Sequence, residues 1–446
     1  MCLPTRAVEG DIAPEPEVVA TADAPCPAIL RRDPAMRMKK KTPIIAAATL
    51  AVAAALLPSG VVAAAAQDPD HVALVGRAVL PVETYAPGPV SGTFLPPGVV
   101  NGISFPLPSQ PVQGFSSIID GRSPGEYLAM PDNGYGAKAT SKDFLIRAYY
   151  IRPDFKTAGG GTGSVSVGDF VSFRDPNHLF GFPIVNEATT ERLLTGGDMD
   201  PESLQRDHNG DLWVGEEFGP WILHFSADGV LLDAPFPIPG VRSPNNPGLN
   251  GDPATQPNSR GFEGMAISPN GRYLYAALEG ANIADPDQRR RIIYQFSIPS
   301  KALTGRVWAY HTTQPNYMVA DMAALDEHRL VLIERDGGLG VTALFRNVNL
   351  IDLRDVGADG FLASRTVVDL TAIPDPALIS LPAIHPGDVR IGNPFSVVCE
   401  SVEAIHPIDG SRLLIGCDNN FPNKGRNPGL ADDNEFIVVK VEGLKS

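Results

Sequence analysis

The stretch ESLQRDHNGDLWVGEE, residues 202–217, decides the fold. It opens on an acid, runs a short strand to a turn at His208-Asn209-Gly210-Asp211, and rises through Leu212-Trp213-Val214 to the adjacent acids Glu216 and Glu217. An Asn-Gly step between two runs favours a tight hairpin, because both residues tolerate positive φ. The same plan recurs in FSSIIDGRSPGEYLAMPDN (115–133), EGMAISPNGRYLYAALEG (263–280), DMAALDEHRLVLIERDG (321–337) and EAIHPIDGSRLLIGCDNN (403–420). Several repeats are followed by another strand-like run, as in WILHFS, RIIYQFSI, VNLIDL and FIVVKVEG.

A repeated hairpin with further strands indicates an all-β protein of the β-propeller type. Composition agrees, since 44 Gly and 43 Pro are dispersed between short β-branched and aromatic runs, and helical periodicity is scarce. Glu202 to Glu263 spans 61 residues and Glu263 to Asp321 spans 58. At roughly 60 residues per repeat, residues 67–446 are expected to form six blades, with five or seven as alternatives. The longer intervals, 115 to 202 and 321 to 403, then hold loop insertions or a degenerate blade. The early run HVALVGRAVLPVE (71–83) is placed to pair with the C-terminal strands and close the ring, which removes an exposed edge. An array of β-sandwiches is the rival architecture, and it leaves the recurring acidic ends unexplained.

Residues 36–66 read as a secretory signal peptide: Lys39-Lys40-Lys41, an apolar run from Pro43 to Leu57, then Ala64-Ala65-Ala66. Residues 1–35 are expected to be a non-native upstream extension, and 67–446 the mature domain. The expected location is the periplasm or the exterior, with no membrane span in the mature form and a monomeric state. Beyond residue 66 the chain carries 29 basic and 45 acidic residues, a field that repels nucleic acid and attracts cations. Cys399 and Cys417 form an even pair for an oxidising compartment. They flank the turn HPIDGS, and a turn centred on Ile408-Asp409 sets them opposite one another as a cross-hairpin disulfide; two separate thiols are the alternative.

In a hairpin the start of the first strand and the end of the second share one edge. Glu202 therefore lies near Glu216 and Glu217, Glu263 near Glu279, Asp321 near Glu334 and Glu403 near Asp418, with Asp132 in the same role in the first repeat. If these hairpins are the inner strands of successive blades, their acids converge on one mouth of the channel. Crowded carboxylates cannot all ionise without a cation, and oxygen donors with Asn133, Asn419 and Asn420 beside them suit Ca²⁺ better than Mg²⁺. The alternative is a set of solvated turn residues. Of Glu216 and Glu217, strand alternation lets one face the channel, and Glu217 is the expected one. DMDPE, with Asp198, Asp200 and Glu202, resembles the opening of a calcium loop but lacks the remainder. Arg260 and Arg335 flank the acids, where a guanidinium either binds a phosphate or neutralises its neighbours. His406 falls at the far hairpin turn, away from the mouth, and Trp213, Trp221 and Trp308 read as blade core. No G-x-S-x-G elbow, phosphate loop or dinucleotide fingerprint occurs in the required context.

MDPESLQRDHNGDLWVGEEFGPWILHFSADGVLL (199–232), SRGFEGMAISPNGRYLYAALEG (259–280) and SVEAIHPIDGSRLLIGCDNNFP (401–422) resemble the phytase-like proteins described by esterase-like activity of the phytase family. YLAMPDNGYG (127–136) and LVLIERDGG (330–338) fit the same pattern, and the resemblance runs from about Gly114 to Val441. It implies an exported propeller whose ring of acids holds Ca²⁺, which binds substrate phosphate and activates water. By position the ligands are Asp132, Glu216, Glu217, Glu263, Glu279, Glu334, Glu403 and Asp418. The expected activity is metal-dependent hydrolysis of a small phosphoester, with Glu217 or Glu263 as general base and Arg260 or Arg335 steadying the developing charge. Two rival expectations are a non-catalytic, calcium-stabilised binding propeller of the cell envelope and a lactonase or carboxylesterase at the same mouth.

Overall fold

The computed structural model describes residues 67–68 and 70–445, so the expected leader and upstream extension lie outside the described residues. Five four-stranded antiparallel blades account for nearly all the regular structure. Blade 1 comprises Phe115–Asp120, Tyr127–Pro131, Arg147–Asp154 and Ser164–Ser172. Blade 2 comprises Pro201–Arg206, Leu212–Glu216, Trp221–Phe225 and the short Phe236–Pro237. Blade 3 comprises Phe262–Ile267, Tyr273–Leu278, Arg290–Ser297 and Ala302–His311. Blade 4 comprises Met318–Ala324, Arg329–Arg335, Arg346–Val356 and Leu362–Asp369. Blade 5 takes Ser401–Pro407, Arg412–Asp418 and Asn434–Val441 from the C-terminal region, and its fourth strand is Val72–Leu80.

That fourth strand pairs antiparallel with Asn434–Val441, the closure expected of the early apolar run. A single parallel bridge, Val79 to Ser164, joins blade 5 to the outer strand of blade 1. The inner strands contact one another in cyclic order, blade 1 through blade 5 and back to blade 1. Among the described residues the sheets group into five blades, where six were expected with five or seven as alternatives. The long interval after blade 1 is taken up by its extended outer strands and a connection over residues 173–200. The interval after blade 4 contains another over 370–400, and neither forms a further sheet.

Five apolar cores correspond to five blade interfaces. Leu128 meets Leu204 and Val214 between blades 1 and 2, and Trp213 and Ile222 meet Met265 and Leu274 between blades 2 and 3. Tyr275 and Trp308 meet Met322 and Leu330 between blades 3 and 4, and Ile333 and Val348 meet Ile405 and Ile415 between blades 4 and 5. Leu414 and Phe436 pack on Phe115 and Ile118 to close the ring. Each blade is thus covered on both faces, which is why Trp221–Phe225 is buried at every position instead of alternating.

Cys399 and Cys417 are joined, with Cα atoms 6.2 Å apart. They are not opposite one another in the ladder as expected, because Cys417 faces Val402 and Cys399 lies ahead of the strand. The turn centres on Gly410, with Pro407 paired to Leu413, instead of on Ile408-Asp409. Among the described residues no helix is long and apolar enough to cross a membrane.

Candidate functional site

Each of the five inner hairpins carries the same irregularity. Regular pairing reaches Phe115/Pro131, Pro201/Glu216, Phe262/Leu278, Val319/Glu334 and Val402/Cys417, and the inner strand then carries one residue more than its partner. A bulge frees a side chain from the pleat and re-aims it. The freed residue is Ser116, Glu202, Glu263 or Glu403 in blades 1, 2, 3 and 5, and the Ala320-Asp321 pair in blade 4. On the second strand, the residue one beyond each of these pairs is Asp132, Glu217, Glu279, Arg335 or Asp418, the last two still paired with Met318 and Ser401. The fivefold repeat thereby stacks two levels of side chains at the mouth, the lower from the bulges and the upper from the strand ends.

Glu202, Glu263 and Glu403 of the lower level and all five residues of the upper level line a cavity of about 320 Å³. Eight carboxylates border it, the buried Asp200, Glu202, Glu217, Glu263, Glu279, Glu403 and Asp418 and the half-buried Asp132, with half-buried Glu400 at the rim. Three groups each place one oxygen per residue within 4.8 Å: Asp200-Glu202-Glu217, Glu202-Glu263-Glu403 and Glu217-Glu263-Glu279. Gly261 permits the crowding, since a Cβ there would come 2.7 Å from the Cα of Glu217. Its N–H instead donates to Glu217 Oε1 at 2.8 Å.

Two guanidiniums answer the eight acids. Arg335 supplies blade 4's upper position, and its Nη2 lies 2.5 Å from Glu403, 3.4 Å from Glu279 and 4.0 Å from Glu263. Arg260 is more exposed and binds Glu279 at 2.7 Å. The imbalance shows in the acids. Burial, then the neighbouring Glu279, Glu403 and Glu217 charges, push the Glu263 carboxyl well above the ordinary range. Burial and like charge do the same for Asp132, Glu202, Glu217 and Asp418. Asp200 is pushed up to about 6, chiefly by burial, with bonds from Glu202 and Asn133 opposing. For Arg335 burial works against the charge, but Glu403, Glu279, Glu263 and Asp418 outweigh it and hold the proton more firmly.

Six of the eight expected ligands, Asp132, Glu217, Glu263, Glu279, Glu403 and Asp418, come together here, with both arginines. Glu216 and Glu334 do not. Both sit one residue before the upper level, where the pleat turns the side chain away. Glu216 accepts N–H bonds from Asp200, Phe218 and Gly219 at 3.1, 2.7 and 2.7 Å, and burial pushes its carboxyl up to about 8. Glu334 accepts from the Tyr310 hydroxyl, Thr313 N–H and Asn349 amide. Asp321 is likewise turned aside, accepting from Ile405 N–H at 3.0 Å and so tying blade 4 to blade 5.

Asp200 and Glu202 join the ring although neither stood among the expected ligands. Glu202 was legible, because it heads its repeat as Glu263 and Glu403 head theirs. Asp200 had no repeat signal: its carbonyl accepts the Glu217 N–H just as Gly114 and Gly261 accept those of Asp132 and Glu279. DMDPE is not a calcium loop, since Asp198 turns to Val185 N–H at 2.7 Å and to Thr195. Asn133 and Asn420 line the cavity, whereas Asn419 donates to Gln113 Oε1 and the Asp432 carbonyl. His406 sits at the far end of blade 5 against Asp120, 3.1 Å away.

A ring of blades whose inner bulges and strand ends crowd acids into one mouth defines a β-propeller with an acidic channel site. Residues 110–421, over two thirds of the chain, match the family model described as "Phytase-like: Esterase-like activity of phytase", and the chain belongs to this phytase-like family. A protein of Arthroderma benhamiae described as "Uncharacterized secreted protein" is 26% identical over 148 residues, which cover 29% of this chain and 28% of that protein. The chain thus matches little more than a quarter of that relative's length. The solved structure of a luciferin-regenerating enzyme is 12% identical, covering 74% of this chain and 78% of that one with a TM-score of 0.34. The Dos1 propeller is 10% identical, covering 75% and 69%, with a TM-score of 0.29.

Proposed function

We propose that the channel mouth is the active site of an exported, cation-dependent hydrolase acting on a small phosphoester. The observation that carries this reading is the gathering of eight carboxylates, seven of them buried, around a cavity answered by two guanidiniums. An acid array of that kind fits a hard divalent cation with oxygen ligands, Ca²⁺ before Mg²⁺. Glu202, Glu263 and Glu403, delivered by three bulges, would hold it. When bound, such an ion polarises a phosphoryl oxygen and acidifies a water.

The chain's own residues divide the remaining work. Glu217 has one oxygen pinned by the Gly261 N–H, leaving the other to accept a proton from water. Arg260, partly exposed at the rim, is the guanidinium able to meet an incoming anion. Arg335 is buried among three acids, and its role is to balance their charge. Export is supported by the disulfide, a bond that persists in oxidising compartments.

A substrate panel with and without chelator tests the proposal, using an aryl phosphate, an aryl acetate and a lactone. Chelator-sensitive turnover of the phosphate, reduced by Glu217→Gln with calcium affinity retained, is the expected result. Turnover of the lactone or acetate alone would replace the substrate class. The full burial of Arg335 within the ring favours a second reading, a non-catalytic propeller held by a structural ion; calcium uptake without turnover of any substrate would select it.

A further inference from the structure

A second cluster lies at the opposite end of the blade 2 hairpin. The turn between its first two strands brings Asp207 and Asp211 beside His224 of the third strand, with one ligand atom from each within 4.8 Å of the others. A cavity of about 430 Å³ opens onto them.

The imidazole is held firmly. It stacks on Trp213 with centroids 4.0 Å apart and planes inclined by 13°. Its Nδ1 lies 2.7 Å from Asp233 Oδ2, which Lys301 Nζ also contacts at 2.6 Å. With an Nδ1–H donated to that Asp233 oxygen, the ring presents its Nε2 lone pair. That Nε2 is buried without a hydrogen-bond partner, in a residue only 4% exposed. It faces Asp211 Oδ2 at 3.4 Å. Asp207 is oriented from behind, one oxygen taking Trp213 Nε1–H at 3.1 Å and the other the N–H groups of Asn209 and Asp211 at 2.8 and 3.1 Å.

We propose that Asp207, Asp211 and His224 form a site for a divalent transition ion of the zinc class, separate from the all-oxygen ring at the channel mouth. Imidazole with two carboxylates suits zinc or cobalt better than calcium. With metal–ligand distances near 2.1 Å, two ligands of a tetrahedral ion stand roughly 3.4 Å apart, which is the His224–Asp211 separation of 3.4 Å. Asp233 supplies the outer carboxylate that fixes the tautomer of a metal-binding histidine.

The stacked indole provides the readout. The full chain, stripped with EDTA and returned to buffer with excess Ca²⁺, is titrated with Co²⁺ while tryptophan fluorescence is recorded. Saturable quenching at one equivalent, not displaced by Ca²⁺, is expected. Asp211→Asn, at a partly exposed side chain, should weaken it by roughly 10–100-fold with the fold intact, and His224→Gln should abolish it. Glu263→Gln at the channel mouth should leave it unchanged, so failure here is distinguishable from failure of the hydrolase reading. Absence of quenching up to millimolar Co²⁺, or equal affinity in Asp211→Asn, would overturn the assignment and leave His224 as a packing residue stacked on Trp213 and bonded to Asp233.

Discussion

Glu263→Gln should stabilise the metal-free protein at pH 8 and weaken it when calcium is present. Glu263 shares close groups with Glu202 and Glu403 and with Glu217 and Glu279, within 4.8 Å in each group. At an effective dielectric constant of about 20, two unit charges at that distance repel by roughly 3.5 kcal/mol. The Arg335 attraction at 4.0 Å offsets about one such pair. Protonation relieves part of the rest, so the expected gain is on the order of 3 kcal/mol, the value of one unrelieved pair. For a chain of this size that corresponds to about 3–4 °C in Tm. Lowering the pH to 5 should shrink that gain, because the Glu263 carboxyl, raised by burial and like charge, takes up its own proton more readily. Saturating calcium should reverse the sign at pH 8, because the parent gains about 2.7 kcal/mol at a hundredfold excess over Kd and the variant loses a ligand. Thermal unfolding in EGTA and in calcium, at both pH values, reads all four conditions. Equal destabilisation at pH 5 and pH 8, with an unchanged calcium shift, would refute the reasoning.

Other outcomes follow from the same geometry. The metal-free protein should lose stability as pH rises from about 4 to about 8, since Asp200, raised to about 6, and Glu216, raised to about 8, bind protons more tightly folded than unfolded; calcium should flatten the part of this slope due to the ring. The acid limb has the opposite origin. Arg77 and Arg426 overcome burial and hold Glu435 down to about 2, so its contribution is present above the unfolded value near 4.5 and lost as pH falls toward 2. Arg77→Met breaks that buried pair, 2.6 Å long, where the closing strand meets blade 5, and should cost about 3–5 kcal/mol in denaturant unfolding. Replacing Cys399 and Cys417 together by serine opens a loop with a sequence separation of 18 and should cost about 3 kcal/mol on the chain-entropy account, read as a lower denaturant midpoint.

The hairpin repeat made the propeller legible, because each blade begins with a local pair of strands and a turn. The closing strand was legible too, as an apolar run with no other partner. The blade count was not, because the lengths of outer strands and connections do not reveal whether an interval holds a sheet. At the site, period-two reasoning let only one of Glu216 and Glu217 face the channel, and Glu217 is the one that lines the cavity; the same reasoning applied to Glu334 and Arg335 would have excluded Glu334. The bulge beneath each acid is a backbone register effect with no residue type of its own, so it could not be read from composition or spacing. Asp200 entered the ring by standing where blades 1 and 3 carry glycine, which only the paired backbone discloses.

The central claim is that the channel acids hold a cation. Elemental analysis of the protein purified without chelator, with Glu263→Gln in parallel, tests it most directly. The account predicts at least one calcium per parent chain and a substoichiometric amount in the variant. A parent protein free of metal, whose unfolding temperature does not respond to added calcium at pH 8, would contradict it.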